Sequence, residues 1–233
     1  MYKRVILKLS GEALAGESGK GFDNETIFAI IDQIKKVLKN GTQVGLVIGG
    51  GNFWRGRSAN PDMDRVKADQ IGMLATVMNA MYFADALRQK GVEAVVMTPF
   101  EVGTLTKQYS KDTAVKALNK GKVTIFAAGI GQPFFSTDTV TALRACELEA
   151  DAILFAKAID GVYDSDPATN PNAKKFDTIP CKDIVEKNLK VIDISAASLC
   201  YENSIPVVLF GLAEENSVVR AANGEKIGTT VTV

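Results

Sequence analysis

The chain has 233 residues, enough to bury a sizeable core, and its 27 basic and 27 acidic side chains cancel to a formal net charge of zero. No overall field draws it to nucleic acid or to an anionic membrane, so any phosphate chemistry must rest on local groups. It contains no histidine, which excludes Ser-His-Asp and Cys-His catalysis and a His-ligated zinc site, because each needs an imidazole to relay a proton or hold the metal.

The first strand candidate, "RVILKLS", carries Lys8 in its interior and is followed by Ser10 and Gly11. A lysine there is costly to bury unless it meets an anion, so Lys8 is a candidate for holding a transferring phosphoryl group. The alternative is an edge strand with Lys8 turned to solvent. Gly11 and Gly16 have the spacing of a Walker loop, but Glu17 stands where its lysine belongs. A helix with Asn24 as its cap then places Ile27, Ile30, Ile31 and Ile34 on one face and ends at Gly41.

The next strand, "VGLVIGG", runs into Gly49, Gly50 and Gly51, with Arg55 one short loop away. Successive glycines let the backbone approach an anion and turn amide groups toward it, and Arg55 would add a forked cationic donor. The plainer reading is a tight strand-to-helix turn. From Asp64 to Lys90 runs a long Met- and Ala-rich helical segment, open to a kink near Gly72 or to packing against another subunit, although a Met stripe at helical spacing is more often core than interface.

Strands at "EAVVMTP" and "KVTIFAAG" follow, the second opening into "GIGQPFFSTD". There Ser136, Thr137 and Asp138 precede a helical run, where capping would account for one of them. The same helix start suits an anion, and Asp138 suits magnesium directly or through water. After "AILFAK" comes "DGVYDSDPATNPNAKKFD", too long for a plain connector. Its Asp160, Asp164 and Asp166 lack calcium-loop spacing and more naturally shape a nucleotide pocket, with Tyr163 as an aromatic wall. "IPVVLFG" and a weaker "GTTVTV" complete the strands.

Strands alternating with helical segments predict an α/β fold, a mainly parallel sheet covered on both faces, as one domain over 1–233. In such a sheet ligands bind outside the carboxyl ends of the strands, so the three glycine-containing loops are expected to converge on one crevice. Cys146, Cys181 and Cys200 are odd in number and lack metal-ligand spacing, which suggests reduced core thiols in a cytoplasmic protein. No apolar run reaches membrane-spanning length.

"LKLSGEAL", "VIGGGNFWRG", "GMLATVMNA", "AAGIGQPFFSTDT" and "DGVYDSDP" occur in this order, and with them nearly the whole chain resembles the bacterial uridylate kinases of the amino acid kinase superfamily. The resemblance implies a three-layer αβα fold, transfer of the γ-phosphoryl group of magnesium-ATP to UMP, and a cytoplasmic homohexamer in pyrimidine nucleotide biosynthesis. It implies an ATP site of Lys8, Leu9, Ser10, Gly11, Gly51, Arg55, Lys157, Tyr163 and Asp166, with Asp138 the carboxylate near the metal. For UMP it implies Gly50, Asp69 and the run Ile130, Gly131, Gln132, Pro133, Phe134, Phe135, Ser136 and Thr137. The segment Gly16, Glu17, Ser18, Gly19, Lys20 and Gly21 falls where the family places an element for activation by GTP, with UTP as the opposing effector. Three positions depart from the family pattern: Lys157 replaces Thr or Asn, Ile130 replaces Thr, and Gln132 replaces Asn. Two rivals remain at this level: a superfamily member that phosphorylates an amino acid carboxylate or carbamate, and a nucleotide-binding sensor without catalysis.

Overall fold

The computed structural model describes residues 1–56, 62–186, 189 and 191–233. Its main sheet has nine strands in the order β4-β3-β5-β2-β1-β6-β10-β11-β9. These are β1 (Arg4–Leu9), β2 (Gln43–Ile48), β3 (Ala94–Thr98), β4 (Lys107–Gln108), β5 (Val123–Phe126), β6 (Ala152–Lys157), β9 (Thr178–Pro180), β10 (Val207–Gly211) and β11 (Thr229–Thr232). Every neighbouring pair is parallel except β10 with β11. The short strands β7 (Val162–Tyr163) and β8 (Lys175–Phe176) form a separate antiparallel pair within the long segment after β6. That pair, with β4 and β9, is absent from the strand candidates, because two- and three-residue strands carry no readable period.

The helices are α1 (Asn24–Lys39), α2 (Arg65–Gln89), α3 (Lys111–Asn119), α4 (Thr137–Glu147), α5 (Cys181–Glu186), α6 (Ile194–Glu202) and α7 (Ser217–Ala222). They cover both faces, as the alternation of elements requires. Val5, Leu7 and Leu9 of β1 pack with α1, α2 and α7, whereas Ile6 packs on the other face with α3, α4, α5 and α6. Side chains alternate along a strand, so Lys8 faces the same way as Ile6, toward the α4 layer. Central placement of β1 rules out the edge-strand reading of Lys8, which is only 8% exposed.

One local expectation is corrected. Asp23, not Asn24, caps α1: its backbone is extended and its carboxylate accepts from the Thr26 amide at 2.7 Å. Asn24 is the first helical residue and its side chain accepts from the Tyr82 hydroxyl. Gly72 lies inside α2, which runs from Arg65 to Gln89 as one helix. Cys181 and Cys200 are buried, Cys146 is half-buried, and all three are free thiols, so the core-cysteine expectation holds. Among the described residues no helix is long and apolar enough to cross a membrane.

Gly228 makes the turn into β11 in the left-handed region, φ +58°, and a Cβ there would overlap the Leu209 carbonyl of β10. Gly228→Ala is therefore expected to cost at least about 2 kcal/mol, from left-handed strain and backbone overlap together. Chemical denaturation of the two proteins measures the difference.

Candidate functional site

The loops after β1 and β2 are pressed into contact. A Cβ on Gly11 would lie 2.5 Å from the Gly51 amide and 2.7 Å from the Gly49 carbonyl. Only glycine permits this approach, and the Gly49 amide locks it by donating to the Leu9 carbonyl at 3.0 Å. The Leu9 side chain belongs to the core, so only its backbone reaches the loop. Gly50 accepts from the amides of Phe53 and Trp54, which curls the chain back on itself. Arg55 then bridges to Glu12 at 2.7 Å, joining the rims of the two loops.

Below this junction sits the charged centre. Lys8 Nζ lies 2.9 Å from Asp138 Oδ1, and Lys157 Nζ lies 3.7 Å from Asp138 Oδ2. Both ammonium groups also lie over the Phe155 ring, at 5.9 and 5.4 Å from its centroid. Burial works against the Asp138 charge, but the two lysines outweigh it and hold the carboxyl below the usual carboxylate range. Burial also pushes the Lys157 ammonium down; Asp138 opposes that shift and Lys8 adds to it. Lys157 further donates to the Val191 carbonyl.

Asp138 stands in the first turn of α4, whose cap is Ser136, accepting from the amides of Asp138 and Thr139. Ser136 donates in turn to Asp193, the cap of α6, which also accepts from Thr139. Asp193 was not singled out in the sequence; its only signal there is an Asp before a helical run, shared by every ordinary cap. Thr137 faces the triple-glycine loop, its hydroxyl 3.7 Å from where a Gly49 Cβ would stand. The positive end of α4 is thereby turned toward the loop.

Beside this centre a pocket of about 160 Å³ opens between α2 and the segment before α4, lined in part by Gly50, Asp69, Gly72, Gln132, Phe135 and Thr137. Asp69 Oδ2 accepts from the Phe134 amide at 2.8 Å and from Arg65 at 3.0 Å, and the Arg65 guanidinium covers the Phe134 ring. Phe134 has φ +73°, a strained conformation for a bulky side chain, and Phe134 and Phe135 are both exposed. Gly131 has φ +88° and packs on Pro99, while Ile130 packs with the α4-side core and Pro133 is half-buried. Thr76, missed in the sequence, anchors the base of this segment by accepting from the Ala128 amide at 2.8 Å. A second cavity, about 580 Å³, is lined by Lys8, Asp138, Lys157, Val191 and Asp193 among others.

Of the remaining expected residues, Ser10, Gly16, Glu17 and Ser18 line a cavity of about 990 Å³ together with Lys157, whereas Tyr163 and Asp166 lie outside it. Tyr163 donates to Asp160, and Asp166 caps a turn by accepting from the Ala168 amide, so both order the segment after β6. Ser10 accepts from the Ala13 amide. In the segment 16–21, Gly16, Gly19 and Gly21 all have positive φ, Glu17 and Lys20 are exposed, and Ser18 donates to the Ala15 carbonyl. Gly21 ties the segment to the triple-glycine loop through Asn52. Among the described residues no three acidic or sulfur side chains converge on a metal position. One carboxylate shared by two lysines fits magnesium that arrives on a nucleotide's phosphates, and does not make a resident cage.

Residues 3–211 match the amino acid kinase family. Over 232 residues the chain is 50% identical to the uridylate kinase of Streptococcus thermophilus, covering 99% of this chain and 95% of the relative. Its fold is similar to the crystal structure of UMP kinase from Bacillus anthracis, with a TM-score of 0.95 and 38% identity over 99% of this chain and 96% of that one. UMP kinase from Ureaplasma parvum matches with a TM-score of 0.93 and 38% identity, over all of both chains.

The depressed Asp138 carboxyl makes a signed prediction. Relative to Asp138→Asn, its contribution to stability is fully present above the unfolded carboxylate value, about 3.9, and is lost as pH falls through the lower folded one. Denaturation of both proteins from pH 7 to pH 3 is expected to give a difference that holds down to about pH 4 and shrinks below it.

Proposed function

The chain belongs to the amino acid kinase family, among its uridylate kinases, and on that premise we propose that it transfers the γ-phosphoryl group of magnesium-ATP to UMP, giving UDP and ADP. The observation that carries this reading is the Lys8–Asp138–Lys157 cluster, set between the Asp69 pocket and the cavity at Val191 and Asp193. Phosphoryl transfer asks mainly for alignment and charge neutralisation, so a chain without histidine is not handicapped.

In this reading the acceptor occupies the pocket of Asp69 and residues 130–137, with its phosphate at Gly50. The donor phosphates lie against Lys8, Ser10, Gly11, Gly51 and Arg55, and Tyr163 and Asp166 line the adenine-nucleotide end. Lys8 and Arg55 offset the charge on the moving group, and the start of α4 adds its dipole. Magnesium would be held by Asp138, directly or through water, and would supply charge neutralisation on the phosphates. No general base is assigned, because the acceptor phosphate is itself a nucleophile near neutral pH. Lys157, a departure from the family pattern, supports Lys8 by sharing its carboxylate.

The same proposal covers a single kinase domain over 1–233, a cytoplasmic setting in pyrimidine nucleotide biosynthesis, GTP as activator and UTP as inhibitor. Neither a nucleic acid nor a membrane partner is part of it. The bonds from Gly21 to Asn52 give the 16–21 segment a route to the phosphate loop.

Self-association, as a hexamer built from dimers, is supported by α2. Ile71, Leu74, Met78 and Met81 form an exposed stripe along it. The stripe reads the same in both directions about Thr76. In an antiparallel pair Ile71 meets Met81, Leu74 meets Met78, Lys67 meets Asp85, and Asp64 meets Arg88, each charge facing its opposite. Leu74→Glu with Met78→Glu is expected to reduce the assembly to smaller species in light scattering; wild-type protein running as a monomer would remove the assembly from the proposal.

ADP release with magnesium-ATP and UMP, CMP, dCMP, aspartate, glutamate or carbamate tests the reaction. Turnover confined to UMP is expected; turnover with an amino acid or carbamate instead, or none, overturns the reading. Lys8→Met is expected to lower turnover about 10²–10³-fold with UMP binding retained by calorimetry.

A further inference from the structure

Asn79 of α2 is fully buried, as is Asn52 to within 3% exposure, yet neither touches solvent or the charged centre. Their side-chain amides pair reciprocally, Asn79 Nδ2 to Asn52 Oδ1 at 2.7 Å and Asn52 Nδ2 to Asn79 Oδ1 at 3.0 Å. The second proton of Asn79 Nδ2 goes to the Gly49 carbonyl at 2.6 Å, and that of Asn52 Nδ2 to the Gly21 carbonyl at 2.8 Å. All four amide protons are thus in use. The neighbours of Asn79 on the buried side of α2 include Ala75, Thr76, Ala80 and Phe83, and a leucine of similar volume would satisfy packing there. A buried amide kept in such a place holds something.

What it holds is a peptide plane. Among the described residues there are no cis peptide bonds, and across a planar trans unit the carbonyl and the following N–H point in opposite directions. With the Gly49 carbonyl fixed on Asn79, the Gly50 N–H is turned away from it. Two peptides in the loop have glycine on both sides and little intrinsic resistance to flipping; the Gly50 carbonyl is held by the Phe53 and Trp54 amides, and the Gly49 carbonyl by Asn79. Among the described residues the Gly50 and Gly51 amides have no acceptor within the protein, and Gly50 lines the pocket of Asp69. We propose that Asn79 is a positioning residue: by holding the Gly49 carbonyl it aims the Gly50 N–H at the acceptor's phosphate. Asn52 braces Asn79 and carries the tie to Gly21. The assignment rests on the reading above, that the acceptor phosphate is seated at Gly50.

The test compares wild type with Asn79→Asp, Asn79→Leu and Asn52→Leu by steady-state kinetics. Asn79→Asp keeps the acceptor for Asn52 and loses the donor to Gly49. Both Asn79 variants are expected to raise KM for UMP at least about tenfold, the scale of one hydrogen bond to a charged group, with KM for ATP changed less than about twofold. Asn52→Leu leaves the Gly49 bond in place and is expected to raise KM for UMP less than about threefold. A fall in kcat alone, with KM for UMP unchanged, would mean that Asn79 only supports the fold and would overturn the assignment. If the variants do not fold, the wild-type Gly50 amide decides: a downfield proton shift on adding UMP supports it, and an unmoved resonance overturns it. Wild type that turns over a different phosphate acceptor would sink the UMP reading alone, and the same KM comparison with that acceptor would still judge Asn79.

Discussion

A lysine buried in the middle of a nine-stranded sheet is the constraint on which the rest depends. An ammonium group cannot stay charged in such a place without a counter-charge, and the desolvation of both partners must be met by close geometry and further hydrogen bonds. Asp138 supplies the charge, and α4 must therefore begin where its first turn reaches the end of β1. Ser136 and Asp193 then cap α4 and α6 against one another, so that the carboxylate has a fixed address. Lys157 joins from β6, the neighbour of β1, with Phe155 beneath both ammonium groups. Two cations on one carboxylate leave an appetite for a further anion.

The two glycine-containing loops answer a second constraint, that backbone amides serve an anion only at very short range. Glycine at 11 allows the loop after β1 to lie on the loop after β2 with nothing between them. The surface of the loops is then made of main chain, whose directions are set from behind by Leu9, Thr76 and Asn79. Such amides need no reorganisation when charge develops, which is why fixed peptide planes count for more than additional side chains. The left-handed residues at Ala128, Gly129, Gly131 and Phe134 show the same pattern in the segment before α4, strain held in place by a threonine and a carboxylate.

Much of this was legible in the chain. Strand runs such as "VGLVIGG" and "AILFAK" carry a continuous apolar signal because both faces of a parallel strand are buried; the observed β2 begins one residue before the first run and ends at Ile48, and β6 coincides with the second. Lys8, Gly49 to Gly51, Arg55 and Asp138 stood out as charge or glycine where a core strand or a plain turn has no use for them. Asp193, Thr76, Asn79 and Asn52 did not, since an Asp, Thr or Asn in or beside a helix has many ordinary uses. Their roles come from partners 27 or more positions away, such as Asn79 for Asn52, Gly49 for Asn79 and Ser136 for Asp193. The cap of α1 was misplaced by one residue because Asp23 and Asn24 are equally good candidates, and backbone direction alone chose between them.

The sequence by itself determined the class of fold, the placing of glycine-containing loops after β1, β2 and the strand before α4, and the exclusion of imidazole chemistry, because these are read from composition and local patterns. It also determined which side chains were out of place in a core. Only the tertiary structure decided that Lys8 is central and not at an edge, that Asp138 answers to two lysines, and that Asn79 grips the glycine loop. Each of these depends on strand order or on a contact between distant elements, and pairing across a sheet is fixed by the global packing of both faces, which no local stretch of residues contains.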